Sequence, residues 1–197
     1  PRYRDAAGKE HARHFEKKAD AQAWLDSVTT SVLTGLYVDP KRTRVTVAEW
    51  AGQWLESKVD LKPTTHRCYE VSLRVHILPT WGPVRLGDIT HQGVAAWVAQ
   101  LSRSGKSAST VRHAHRVLSL ILGLAVRDGR LARNPAVGVP LPRRVRGEQI
   151  FLTYAQVDGL AAAAGRDRLA ILFLAYTGVR YGEMAALRVR NLNLLRR

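Results

Sequence analysis

Cysteine and acidic side chains are scarce in this sequence, and each shortage removes a class of protein. A single cysteine, Cys68, in 197 residues excludes an internal disulfide framework and any zinc site built on several thiolates. A reducing cytoplasm is the expected setting. No apolar run approaches the roughly 18 residues needed to cross a bilayer, so no membrane span is expected. The N-terminal stretch PRYRDAAGKEHARHF is charged and has none of the apolar core of a signal peptide. Methionine occurs once, as Met184, so the sequence either has lost an initiator or begins inside a longer protein. Low-complexity tracts and internal repeats are missing as well.

Acidic residues number 16 against 31 lysines and arginines, a formal net charge of +15. A surplus this large favours a polyanion, because each Lys or Arg placed on a phosphate releases condensed counterions. Nucleic acid is the expected partner. An anionic membrane surface would require a basic amphipathic helix or a juxtamembrane cluster. Here the excess is spread instead, and each of the segments 1–45, 46–134, 135–150 and 151–197 is net positive.

The length allows one medium domain or two to three small ones. Residues 2–15 read as two short strands around Ala6-Ala7-Gly8-Lys9, with Gly8 suited to a positive-φ turn. Ala21, Trp24, Leu25, Val28 and Val32 then follow helical spacing to a stop at Gly35. Two strands are marginal in water, so a further strand before Pro1 is expected. Leu36–Val45 reads as a linker interrupted by Pro40 and a basic cluster. A second domain opens with a capping box at Thr46-Val-Ala-Glu49, ahead of Trp50, Ala51, Trp54 and Leu55. Pro63 starts a helix to about Ile77, and Pro79 and Gly82-Pro83 then break the chain. Thr90 starts a third helix, and Ser109 or Thr110 a fourth that runs to about Asp128. This domain, 46–134, reads as an all-α bundle. Residues 135–150 read as an extended linker, since Asn134–Glu148 holds three prolines and three arginines. Thr153-Tyr-Ala-Gln156 opens a last set of helices near 154–164, 167–176 and 180–188.

The fourth helix carries the clearest binding pattern. At 100° per residue, Val111, Ala114, Leu118, Ile121, Leu122 and Ala125 share an apolar side. Arg112, Arg116 and Arg127 align on another, with Ser119 and Gly123 between them. Small residues beside arginines let a helix approach a phosphate backbone, and Lys106, Ser109 and Thr110 add donors at its N-terminus. Arg143, Arg144 and Arg146 add a basic, proline-rich strap. The plain alternative is a solvated basic face on a core helix; the charge of the whole chain favours contact with DNA.

A second pattern lies at Tyr176–Arg188. A buried apolar helix delivers a tight turn at Thr177-Gly178, and Arg180 starts a new helix with its side chain fixed by packing. A guanidinium held so can grip a phosphate through two parallel hydrogen bonds and stabilise charge growing in phosphoryl transfer, with Glu183 one turn later to orient it. The alternative is an ordinary surface pair of Arg180 and Glu183. His11, His14, His113 and His115 lack companion ligands at metal spacing; exposed or DNA-facing positions are expected, with no metal and no cofactor. Trp50, Trp54 and Trp97 fall on apolar faces and read as core.

The run Thr177-Gly-Val-Arg180-Tyr-Gly-Glu183-Met-Ala-Ala-Leu187 resembles the first catalytic arginine box of the tyrosine recombinases of phage-integrase type, written TGxRxxEhxxL with h apolar. Upstream, LKPTTHRCYEVSLRVHILPTWGPVRLGDIT and SASTVRHAHRVLSLILGLAVRDGRLARNPA look like the helical core-binding domain of these enzymes. Residues 2–33 are similar to the helix and later strands of their small arm-binding domain. The resemblance implies a mainly α chain: a hairpin-plus-helix module over 1–35 that binds arm-type sites and is incomplete, then a SAM-like four-helix core-binding domain over 46–134. The linker 135–150 and the first helices of a mixed α/β catalytic domain over 151–197 would follow.

It implies further a C-shaped clamp on double-stranded DNA at attachment sites, with Arg180 on the scissile phosphate. In the complete enzyme a tyrosine attacks that phosphate and makes a 3′-phosphotyrosyl link without metal, and strands exchange through a Holliday junction within a synaptic tetramer. A DNA-bending accessory protein is a further expected partner, and a bacterial, nucleoid-associated location is expected. The family also requires a lysine on a β-hairpin, a His-x-x-Arg box and the nucleophile after the first arginine box. Only residues 181–197 follow Arg180, and none of these elements lies among them. His113-Ala-His-Arg116 spells the box but precedes Arg180 on the binding helix, and Tyr181 adjoins Arg180 on a different helix face. Asn191 stands where an aspartate is common. The 197 residues are therefore expected to bind DNA without recombining it, as part of a longer chain, as a decayed fragment or as a non-catalytic regulator. An RNA-binding structural protein is the remaining alternative.

Overall fold

Thr46, Thr90, Ser107 and Thr153 each begin a helix because each hydroxyl accepts a backbone N–H that the first helical turn would otherwise leave unpaired. The computed structural model describes residues 1–4, 8, 10–34, 37–39, 41–144 and 147–191. Two compact units result, Pro1–Val145 and Arg146–Arg197.

The first unit opens with strands β1 (Arg2–Arg4) and β2 (Glu10–Ala12), antiparallel with Tyr3 opposite His11. Gly8 takes a φ of 79° in the turn; the rest of that predicted turn, like the expected stop at Gly35 and the linker residue Pro40, lies outside the described residues. Helix α1 (Lys18–Leu33) has no fully buried residue. Aromatic rings hold the module together instead: Tyr3 meets the Trp24 edge at 5.4 Å, stacks on His11 at 5.0 Å and shares a 2.6 Å hydroxyl hydrogen bond with Tyr37.

The bundle comprises α2 (Val47–Glu56), α3 (Pro63–Ser72), α4 (Leu78–Trp81), α5 (His91–Arg103) and α6 (Ala108–Arg127). The capping box at its start is complete: Glu49 N donates to Thr46 Oγ1 (3.3 Å) and Thr46 N donates to Glu49 Oε2 (2.9 Å). Burying Val47, Trp50, Ala51 and Trp54 against Val94, Trp97, Val111, Leu118, Ile121 and Leu122 makes one continuous core. The three tryptophans expected in the core are there.

Pro79 does not break the chain as the sequence pattern predicts. Residues Leu73–Ile77 widen into a π-turn in which Leu78 N donates to Leu73 O. An α-helix would press the proline ring onto the carbonyl four residues earlier; the wider turn accommodates it, so α3 passes into α4 without a gap. The break comes at Gly82, where a Cβ would lie 2.6 Å from Leu78 O.

The packed unit also continues beyond residue 134. Ala136 and Val139 are buried in the same core and Leu141 packs against it. The first part of the expected linker is therefore an arm laid on the bundle.

The second unit contains α7 (Tyr154–Ala163), α8 (Arg168–Thr177) and α9 (Tyr181–Ala186), with no strand among its described residues. Thr153 and Gln156 form the predicted capping box. Gly178, at φ 67°, ends α8 in the left-handed conformation that glycine adopts without strain. The expectation of a buried α8 fails: none of its residues is buried, and Leu169 is 77% exposed. Ala161 of α7 is the buried residue here. A helix this apolar is covered only where another element lies against it, and sequence polarity cannot show where that is.

Candidate nucleic-acid interface

Helix α6 buries Val111, Ala114, Leu118, Ile121, Leu122 and Ala125 as predicted, which leaves Arg112, Arg116 and Arg127 on its other side. Their situations differ. Arg116 and Arg127 are exposed, whereas Arg112 is half-buried and donates from Nη1 to Pro142 O at 3.3 Å. The small residues between them are not an open approach for phosphate. Asn134 Nδ2 donates to Ser119 O (2.9 Å) and Ser119 Oγ (3.2 Å), and a Cβ on Gly123 would stand 3.7 Å from that same nitrogen. Asn134 occupies this seat because its half-buried amide needs acceptors, which a serine supplies. Arg127 lies about 22 Å along the axis from Arg112 at 1.5 Å per residue, beyond that seat.

The N-terminal donors are also rearranged relative to expectation. Ser107, not Ser109 or Thr110, caps α6: Thr110 N donates to Ser107 Oγ at 3.2 Å, and the two hydroxyls lie 2.9 Å apart. Ser109 and Lys106 are exposed. Burial, followed by repulsion from Lys106 and His113, holds the His76 imidazole below its ordinary value.

The arm closes one side of a cleft of about 520 Å3, lined by Arg112, His113, Arg116 and Ser119 of α6 and by Leu141 and Arg144 of the arm. Two arginines of the predicted stripe and one of the predicted strap thereby line one concave surface. Arg143 is exposed beside it, and Arg146 lies outside the described residues. On the other flank His113 and Arg116 also line a shallower hollow of about 330 Å3 with Thr64, Thr65, Cys68 and Tyr69 of α3. The Tyr69 ring stacks on His113 at 6.4 Å. The hollow on α3 escaped the sequence reading, although Thr64 and Thr65 in the first turn of a helix were a signal for anion contact.

His115 overturns the expectation of an exposed or DNA-facing histidine. Only 9% of it is exposed, and its Nε2 lies 2.9 Å from Ala136 O. The spacing of 111, 115, 118 and 122 put it on the apolar side, a signal present in the sequence. His91, which carried no signal, lies with Nδ1 3.0 Å from Pro135 O. Among the described residues no group of three or more His, Cys, Asp or Glu is placed to hold a metal ion, and no helix is long and apolar enough to cross a membrane.

In the second unit Arg180 is the N-cap of α9, which begins at Tyr181. The predicted partnership with Glu183 is present and double: Arg180 N donates to Glu183 Oε2 (3.0 Å), and Nη1 donates to Glu183 Oε1 (3.2 Å). Packing does not fix the side chain, which is 85% exposed. The backbone fixes its origin instead, since Thr177 Oγ1 donates to Phe173 O at 2.6 Å and Val179 N donates back to that hydroxyl at 3.3 Å. Such a guanidinium keeps donors free for an oxyanion.

Residues 46–102 match the phage integrase N-terminal SAM-like domain. The integrase of Mycobacterium phage D29 is 27% identical over 191 residues, which is 91% of this chain and 49% of the relative. The tyrosine recombinase XerC-like protein of Caldanaerobacter subterraneus subsp. tengcongensis is 27% identical over 199 residues, 94% of this chain and 50% of that one. The chain thus spans about half the length of the curated relatives it matches. A solved lambda integrase dimer bound to a COC' core site superposes with a TM-score of 0.67 at 20% identity, covering 98% of this chain and 57% of that one; at that identity the likeness concerns the fold.

Proposed function

From its likeness to phage integrases and to a tyrosine recombinase, we propose that the chain belongs to the phage-integrase group of tyrosine recombinases and binds duplex DNA at attachment sites, as the recognition part of a site-specific integrase. The observation that carries this is the convergence of Arg112, Arg116 and Arg144 on one cleft of a chain with a net charge of +15. Guanidinium groups on a concave basic surface neutralise consecutive phosphates and release their counterions, which gives affinity without reading sequence. Arg127 and Arg143 extend the positive field, and Lys106 supplies it at the head of α6, where Ser109 and Thr110 add neutral hydroxyl donors. Thr64 and Thr65 offer neutral donors to the neighbouring phosphate.

The residues divide accordingly into an arm-type module over 1–35, a core-binding domain over 46–134, the arm and linker over 135–150, and the start of the catalytic domain over 151–197. Arg180 is the residue assigned to the scissile phosphate, with Glu183 orienting it. Its two terminal nitrogens would stabilise the charge that grows on the nonbridging oxygens as a tyrosine oxygen bonds to phosphorus and the 5′ oxygen leaves. Residues 181–197 contain no His-x-x-Arg box, and Tyr181, which adjoins Arg180, is assigned no role as the nucleophile. The complete recombinase would assemble as a tetramer on DNA, assisted by a DNA-bending protein, in association with the nucleoid.

The test is a nicked attachment-site suicide substrate, which traps any covalent intermediate. The 197-residue chain is expected to shift the duplex while leaving no covalent adduct in denaturing electrophoresis. An adduct would show that a nucleophile is present after all, and absence of any shift would remove the DNA-binding reading.

A further inference from the structure

Three consecutive residues of the arm are clipped to the bundle by three different side chains. Asn134 Nδ2 donates to Ser119 O and Oγ, His91 Nδ1 lies 3.0 Å from Pro135 O, and His115 Nε2 lies 2.9 Å from Ala136 O. Asn134 Oδ1 also accepts Ala136 N at 3.0 Å, bending the chain into its seat. Ala136 and, beyond the clips, Val139 plug into the core, and Arg112 Nη1 donates to Pro142 O at 3.3 Å. The chemistry of the two partners is matched. Pro135, Pro140 and Pro142 have no N–H, and the carbonyls of Pro135, Ala136 and Pro142 are met by side chains of the bundle, His91, His115 and Arg112.

A mere linker has no use for this. Nine extended residues reach about 30 Å, and an arginine at the end of such a tether would lose much of its binding energy in becoming ordered on a phosphate. Fixing the arm at its root removes that cost before the ligand arrives.

We propose that Asn134–Arg144 is a rigid arm of the helical unit that presents Arg144 against Arg112 and Arg116, with Asn134, His91 and His115 as its positioning residues, so that three guanidiniums form one preorganised phosphate clamp. The proposal rests on the duplex-binding reading and deepens it.

The experiment is a double-mutant cycle with Asn134→Ala and Arg144→Ala, read as the salt dependence of binding to a short duplex of arbitrary sequence. Arg144→Ala is expected to weaken binding roughly fivefold at 0.15 M salt and to lower the salt slope by about one. Asn134→Ala, which touches no phosphate, is expected to reproduce most of that loss, and the double variant to lose little more than either alone. A merely structural role for Asn134 would lower the melting temperature but leave Arg144 with its full contribution. Additive losses would therefore overturn the proposal. Failure of the unaltered chain to bind duplex would overturn the functional reading itself, and the clamp with it.

Discussion

Arg112→Ala combined with Arg116→Ala is expected to weaken duplex binding about thirtyfold at 0.15 M salt, equally for attachment-site and arbitrary sequences, and to lower the salt slope by about two. Each phosphate contact contributes about 0.9 to that slope, so two lost contacts set both numbers. The equality across sequences follows from the chemistry. These arginines line a cleft with the arm and neutralise phosphates, which carry no sequence information of their own. Arg112 should account for somewhat more than half of the loss, since its bond to Pro142 O already restricts its rotamers and less entropy is spent on binding. Fluorescence anisotropy over a series of salt concentrations measures both quantities. A loss confined to one sequence would assign the arginines to base contacts instead.

Trp50→Ala is expected to cost the helical unit about 3–5 kcal/mol, a large fraction of the total stability of a domain of this size. Trp50 is buried in the centre of the core, its Nε1 donates to Ile121 O at 3.1 Å, and its ring carries the Arg130 guanidinium at 4.5 Å from the centroid. Truncation removes the packing, leaves a cavity and takes away the Nε1 bond to Ile121 O at once. Trp24→Ala provides the contrast. Trp24 packs on Tyr3 and Phe15 in the N-terminal module, so its loss should leave the main unfolding transition in place. Thermal unfolding followed by circular dichroism separates the two; a small effect of Trp50→Ala would mean that the core closes over the gap.

The sequence carried most of the bundle because its signals are local. Thr46 and Glu49 are three residues apart, and the apolar face of α6 repeats within a single helix, so spacing sufficed. What it did not carry depends on residues far apart in the chain. Pro79 continues a helix because the turn before it widens. Ser119 and Gly123 read as room for phosphate, but they are the seat of Asn134, and the partner of His91 is 44 residues away. The same limit explains Arg180. The box Thr177–Leu187 was legible as a motif and its Glu183 partnership followed from spacing, but whether the guanidinium is packed or open depends on surfaces that no local pattern encodes.

Hydrogen exchange of the chain, free and saturated with a short duplex, tests the interface most directly. The account predicts slowed exchange along the first half of α6, over Thr64–Tyr69 of α3 and at Arg143 and Arg144 of the arm. Protection centred instead on the separate groove lined by Gly52, Leu55, Arg67 and Glu70, with the α6 face unchanged, would contradict it.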